Sequence, residues 1–125
     1  MFRKIEAIIR SEALESVKVA LREIGIVGMN VCEVQGHGRE GGITLAGRHG
    51  TYQIDMLPRL QLNIVLSEHN LEKTIAAISK AAATGAQGDG LIFVYPVEEV
   101  IRIRSGERGL QALIYEGDID TKPAS

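Results

Sequence analysis

The sequence predicts an α+β domain in which strands and helices follow one another as βαββαβ. Three observations carry this expectation. Apolar residues alternate with period two in some stretches and recur every three to four residues in others. Glycine, serine or asparagine marks the junctions between the two patterns. A chain of 125 residues with 45% apolar composition also suits one compact unit, which at this size buries roughly two-thirds of the surface its unfolded form exposes.

The first strand is read over Arg3 to Arg10, where Ile5, Ala7 and Ile9 share a face and Ile8 marks the other face as partly covered. Ser11 is the expected N-cap of a helix; Glu12 and Glu15 suit its positive end, Leu14, Val17, Leu21 and Ile24 form its stripe, and Gly25 stops it. A β-branched stretch from Ile26 to Val34 gives a second strand, and a third runs from Leu60 to Leu66 after a long glycine-rich segment. Asn70 is the expected cap of a second helix, striped by Leu71, Ile75, Ile78 and Ala82 and ending at Gly85. Leu91 to Val94 form a fourth strand, Pro96 breaks it, and Val100 to Arg104 add a short final strand.

This order favours a four-stranded antiparallel sheet with both helices on one face, the split βαβ or ferredoxin-like sandwich. The other face, expected to carry Ile8, Leu62, Ile64 and Phe93, reads as too apolar to be solvated. Self-association is the expected cover.

Charge and composition narrow the function. Fourteen basic and sixteen acidic residues give a net charge of -2, so no global positive field gathers nucleic acid or anionic lipid. With two Phe and three Tyr in the chain, an RNA-reading sheet lacks its stacking platform. The start, MFRKIEAIIRSE, meets charges too early for a signal peptide or membrane span, and the single Cys32 forms no internal disulfide. A reduced, cytoplasmic protein without membrane insertion is expected, with Cys32 a small buried apolar residue.

Three glycine-rich segments stand out: QGHGREGG (Gln35 to Gly42), TGAQGDG (Thr84 to Gly90) and RIRSGERG (Arg102 to Gly109). In the first two, successive backbone N–H groups can converge on an oxyanion, the logic of a phosphate cradle. In the third, Arg102 and Arg104 stand two apart on an expected strand, so both guanidinium groups face one side. Each segment alone equally suits a plain turn or a solvated face. Together they suggest a nucleotide. No His, Ser or Cys nucleophile stands beside a base in any of them, which favours a regulatory binding protein over a nucleotide hydrolase or phosphotransferase. His37 and His49 are read as solvated loop residues, and Glu98 and Glu99 as part of a solvated turn.

Five stretches, in order, resemble the PII signal-transduction family of nitrogen regulators: KIEAIIR, EIGIVGMNVCEVQGHGR, YQIDMLPR, TGAQGDGLIFV and PVEEVIRIRSGERG. The resemblance spans about residues 1–115 and leaves 116–125 as a tail, with LIYEGDID expected to fold back near the nucleotide cleft and the last four residues disordered. It implies a homotrimer of ferredoxin-like subunits that binds ATP or ADP in clefts between subunits, in many members with magnesium and 2-oxoglutarate. Gly88, Asp89 and Gly90, followed by Leu91, would then wrap the phosphates, with Gly36, Gly38 and Arg39 of the same subunit and Arg102 and Arg104 of a neighbour. Asn30 and Asn63 would meet the adenine, with Ile64 also in the nucleotide site. Glu40, Gly41, Gly42, Arg59, Gln87 and Gly88 would surround 2-oxoglutarate, with Glu40 also on the metal. Residues from His37 to about Ile54 correspond to the mobile T-loop that docks on an ammonium transporter or on nitrogen-metabolism enzymes and regulators. There Tyr52 matches a tyrosine that some bacteria uridylylate or adenylylate, and Arg48 an arginine inserted into the transporter.

The departures from that family shift the expected ligand. Leu91 stands where a lysine usually contacts the phosphates, a loss of about 1.5–3 kcal/mol, or roughly tenfold to a hundredfold in affinity. Ala86 removes a further lysine, Glu40 replaces a glutamine beside 2-oxoglutarate, and Arg59 replaces a lysine while keeping its charge. Asn30 and Asn63 replace a threonine and a glutamate at the adenine end. ADP or AMP is therefore expected to compete with ATP better than in an ordinary relative.

Overall fold

A computed structural model of the chain describes residues 1–37, 43–47, 50–54 and 56–121. In chain order these form β1 (Phe2–Ile9), α1 (Leu14–Ile24), β2 (Asn30–Gly36), β3 (Ile43–Gly47), β4 (Gly50–Ile54), β5 (Leu57–Ser67), α2 (Leu71–Ala82), β6 (Gly90–Val97) and α3 (Leu110–Leu113). Single 3-10 turns at Ser11–Ala13 and Glu68–Asn70 lead into the two long helices. The main sheet has the order β2-β5-β1-β6 with antiparallel neighbours, and β3 pairs with β4 in a separate hairpin.

One face of the sheet is covered by α1 and α2. The core joins Ile5, Ala7 and Ile9 of β1 to Leu62, Ile64 and Leu66 of β5, with Val17 and Leu21 from α1 and Ile78 and Ala82 from α2. Each fully buried Leu, Ile or Val there contributes about 1.5–3 kcal/mol. The register sets Ile5 against Ile64 and Ala7 against Leu62, so Leu62 and Ile64 lie on the helical side, not on the open face expected for them. Residues directly opposite across a pair share a face.

The open face is mixed: Ile8 and Phe93 lie on it as expected, with Leu91 opposite Ile8, beside a polar network. Gln61 Nε2 donates to Glu6 Oε1 (3.3 Å) and Asn63 Oδ1 (3.1 Å), Asn63 Nδ2 to Asn30 Oδ1 (3.0 Å), and Tyr95 OH to Glu6 Oε2 (3.1 Å). Lys4 Nζ lies 5.6 Å from the Tyr95 ring centre. Cys32, opposite Gln61 on the edge strand β2, is exposed rather than buried, since no helix covers that side.

Helix ends depart from the expected caps in instructive ways. Gly25 ends α1 as expected, at φ +94°, with Ile26 N–H bonded to Leu21 O (2.9 Å). That bond keeps residues 26–29 out of β2, which starts at Asn30. Ser11 makes no side-chain capping bond; a 3-10 turn with extended Arg10 before it replaces the cap. Asn70 does occupy the N-cap of α2, yet its amide donates to Asp120 Oδ1 (2.6 Å) instead of accepting from the helix. The helix stops at Ala82 because Ala83 turns extended, which leaves Gly85 (φ +87°) for the loop beyond.

Two sequence expectations near the end fail. β6 runs through Pro96, paired with Arg3, because an edge strand uses only one side of its ladder and tolerates the missing N–H. Val100 to Arg104 form no strand: an Ile101–Arg108 bridge closes a hairpin whose turn has Arg102 N–H on Glu107 O (2.9 Å) and Gly106 N–H on Arg102 O (2.8 Å). Gly106 at φ +74° makes that tight return possible.

Of the expected T-loop, Ile43–Gly47 and Gly50–Ile54 are a paired hairpin. Gly38, Arg39, Glu40, Gly41, Gly42, Arg48 and His49 lie outside the described residues, as do residues 122–125.

Candidate functional site

The loop from Thr84 to Gly90 is organised by one carboxylate. Asp89 accepts from the Thr84 hydroxyl, from Thr84 N–H (2.7 Å) and from Gly85 N–H (3.0 Å), and Arg10 Nε approaches it at 3.4 Å. Arg10 Nη2 also donates to Gln87 O (2.5 Å). These donors, the Thr84 hydroxyl first, hold the Asp89 carboxyl down at about 2. Asp89 thus serves the loop's shape and is not a free contact for a phosphate, which a carboxylate would repel. The glycines around it supply the backbone: Gly88 has φ +91°, and a Cβ on Gly90 would lie 1.8 Å from Ile8 O. Only glycine lets β6 begin so close to the end of β1. The sequence reading missed Arg10 and Thr84. The signal for Thr84 was present, as a threonine five residues before an aspartate in a glycine-rich turn.

At the same end of the sheet, Gly36 closes β2 opposite Leu57, with Arg59 Cγ 3.6 Å from where its Cβ would stand. Arg59 faces Val34 across the strand pair and donates from Nη1 to Pro58 O (2.9 Å). Leu91, the first side chain after the loop, is 65% exposed. Tyr52 stands on β4 opposite Leu45.

The second group of expected residues lies elsewhere. Asn30 and Asn63 pair across β2 and β5 and line an open cleft of about 890 Å³ together with Met29, Val65, Val97, Ile101, Leu113 and Tyr115. Ile64 next to them sends its side chain into the core, at 1% exposure, so that side chain meets no ligand. Arg102 is half-buried beside this cleft: its Nη2 donates to Ile114 O (3.1 Å) and its guanidinium carbon lies 5.4 Å from the Tyr115 ring centre. Arg104 sits exposed on the hairpin turn, past Ile103, which is 99% exposed. The two arginines therefore do not share a strand face, because no strand exists there.

The structure divides the expected site. Strand order sets the Asn30–Asn63 pair at the β2 edge and the Thr84–Gly90 loop at the β6 edge. Three strand spacings separate those edges, about 14 Å at ~4.8 Å each. The Asn63–Glu6–Phe93 row and the Leu60–Ile9–Gly90 row are also three residues apart along the strands, about 10 Å. Between them stands the Glu6 carboxylate of the open face. Among the described residues no cluster of His, Cys, Asp and Glu forms a metal site, and no helix is long and apolar enough to cross a membrane.

Comparison with known proteins agrees with this architecture. The family model described as Nitrogen regulatory protein P-II matches residues 2–107. A nitrogen regulatory protein P-II of Rhizobium meliloti is 50% identical over 111 residues, covering 89% of this chain and 99% of the relative. A P-II 1 protein of Methanothermobacter thermautotrophicus is 51% identical over the same length, covering 89% and 96%. The crystal structure of Arabidopsis thaliana PII bound to citrate superposes with a TM-score of 0.75 at 37% identity, covering 94% of each chain. On the family match, these identities and the shared four-stranded sheet, the chain belongs to the P-II family of nitrogen regulatory proteins.

Proposed function

We propose that this protein is a nucleotide-responsive regulator of nitrogen metabolism that holds ATP, ADP or AMP between copies of the chain. The observation that carries the reading is the division of the site. A glycine-rich loop with Gly88 and Gly90 stands at one edge of the sheet, and the Asn30–Asn63 pair stands at the other, in a cleft that Arg102 adjoins through Tyr115. A second copy that laid its β6 edge against the β2 edge of the first would join backbone amides for the phosphates to an amide pair for the base. A closed ring of three such copies, a homotrimer, repeats that junction.

In this reading Gly36, Gly38, Arg39, Gln87, Gly88, Gly90 and the exposed Leu91 surround the phosphates, with Asp89 shaping the loop. Asn30 and Asn63 read the base edge, Ile64 contributes main chain alone, and Arg102 and Arg104 neutralise charge. Magnesium would sit on Glu40 and the phosphates, with 2-oxoglutarate near Glu40, Gly41, Gly42, Arg59 and Gln87. The Arabidopsis relative was solved bound to citrate, also an organic polycarboxylate, which supports an oxoacid effector. Nucleotide occupancy then selects a conformation of the arm around β3 and β4, and that conformation decides whether an ammonium transporter or a nitrogen-metabolism enzyme or regulator docks, with Arg48 and Tyr52 on that arm. The regulation needs no catalysis and operates in the cytoplasm.

Calorimetric titration with ATP, ADP and AMP, each with and without magnesium and 2-oxoglutarate, tests this. Binding of all three, with an ATP preference narrower than a lysine at position 91 would give, supports the reading. Absence of any adenine nucleotide binding contradicts it.

A further inference from the structure

The residues after 107 lie beyond the stretch that the family model matches, yet they are fastened to the body at three points. Ile119, 3% exposed, donates its N–H to Gly25 O (2.7 Å). Asp120, 6% exposed, accepts from Ser67 N–H (3.0 Å) and Asn70 Nδ2 (2.6 Å) at the entrance to α2. Tyr115 lies against Gly28, where an added Cβ would come within 2.7 Å of its Cε2. Asp118 ties the turn together, taking Asp120 N–H on Oδ1 (3.0 Å) while its main-chain oxygen accepts from the Thr121 hydroxyl (2.6 Å).

This fastened segment is what holds Arg102. The Tyr115 ring faces its guanidinium at 5.4 Å and Ile114 O takes one of its N–H groups at 3.1 Å. A guanidinium has five N–H donors in a rigid fork, so most of them stay available to an anion at the cleft. A free arginine would have to be ordered by each ligand; this one is ordered beforehand.

We propose that Ile114 to Thr121 form a clamp in which Asp120 is the anchor and Tyr115 a positioning residue for Arg102, so that the protein grades ligands by their phosphates. The proposal rests on the reading that the Asn30–Asn63 cleft takes an adenine nucleotide. Tyr115 is 48% exposed, so its replacement leaves the core intact.

The test uses the full chain, with Tyr115→Ala, Tyr115→Phe and Asp120→Asn compared to the parent. Nitrogen-15 spectra read Arg102 directly without ligand: a dispersed, exchange-protected Nη–H signal is expected in the parent and in Tyr115→Phe, and a free-arginine signal in Tyr115→Ala and Asp120→Asn. A free-arginine signal in the parent overturns the clamp. Titrations then read the grading: Tyr115→Ala should lose about tenfold in ATP affinity and less than about twofold in AMP affinity, with Tyr115→Phe restoring the difference. Equal loss for ATP and AMP, or no loss, overturns the positioning role. If the parent binds neither nucleotide, the cleft reading fails by itself, and the spectra still decide whether the clamp exists.

Discussion

Gly90 and Asp89 show how single residues set the candidate site. Because the Cβ of any other residue at position 90 would stand 1.8 Å from Ile8 O, Gly90→Ala should destabilise the fold by about 2–4 kcal/mol, read as a shift of the urea midpoint. Asp89 gives a pH signature. Its folded-state value of about 2 lies below that of an unfolded aspartate, so its contribution is complete above about pH 4 and is lost as the pH falls toward 2. The protection factors of the Thr84 and Gly85 amides, measured against the intrinsic exchange rate at each pH, should fall over that range in the parent and be low at all pH values in Asp89→Asn. At Leu91, exposed beside the loop, Leu91→Lys should raise ATP affinity about tenfold with little change in stability. The glycines were legible in the sequence because positive φ and close approach leave few other residues possible. Arg10 was not, because a strand-end arginine looks the same whether it is solvated or bonded to a loop 77 residues away.

At the scale of elements, period and punctuation found both helices and the strands of the sheet, and Gly25 as the stop of α1. They erred where tertiary bonds replaced local ones. Asn70 looks like a side-chain cap and instead grips Asp120, a partner 50 residues away that no local pattern reveals. Leu62 and Ile64 were assigned to the wrong face, since a strand's own alternation does not say which side the helices cover; the pairing with Ala7 and Ile5 decides it. Val100 to Arg104 alternates like a strand, but glycines at 106 and 109 fold it into a hairpin. The Asp120 anchor is therefore a sharp test of the C-terminal segment. Asp120→Ala leaves Ser67 N–H and the Asn70 amide without their acceptor and should cost about 1–3 kcal/mol, seen as a lower melting temperature and faster exchange at Ser67.

For the whole molecule, the open face sets a network of amides, Glu6 and Tyr95 beside Ile8, Leu91 and Phe93 and is less apolar than expected, so association is better argued from the β6 side of the sheet. β6 exposes Leu91, Phe93, Val94 and Tyr95 along an edge whose second side is unpaired among the described residues, and Ile103 protrudes from its hairpin at 99% exposure. Ile103→Glu should weaken assembly without unfolding the subunit, lowering the mass seen by sedimentation while the far-UV spectrum is kept. Such an assembly would reunite the two halves of the site that one chain holds apart. The most direct test mixes two crippled chains, Gly88→Glu at the phosphate loop and Arg102→Glu at the cleft, after each alone has been found not to bind ATP. If the site is shared, unfolding and refolding them together at equal amounts should restore roughly one site in four with parental affinity, the share of intact junctions in a randomly mixed ring. No recovered binding from a mixture whose assemblies form normally, with the parent binding ATP, would place the whole site within one chain and contradict the account.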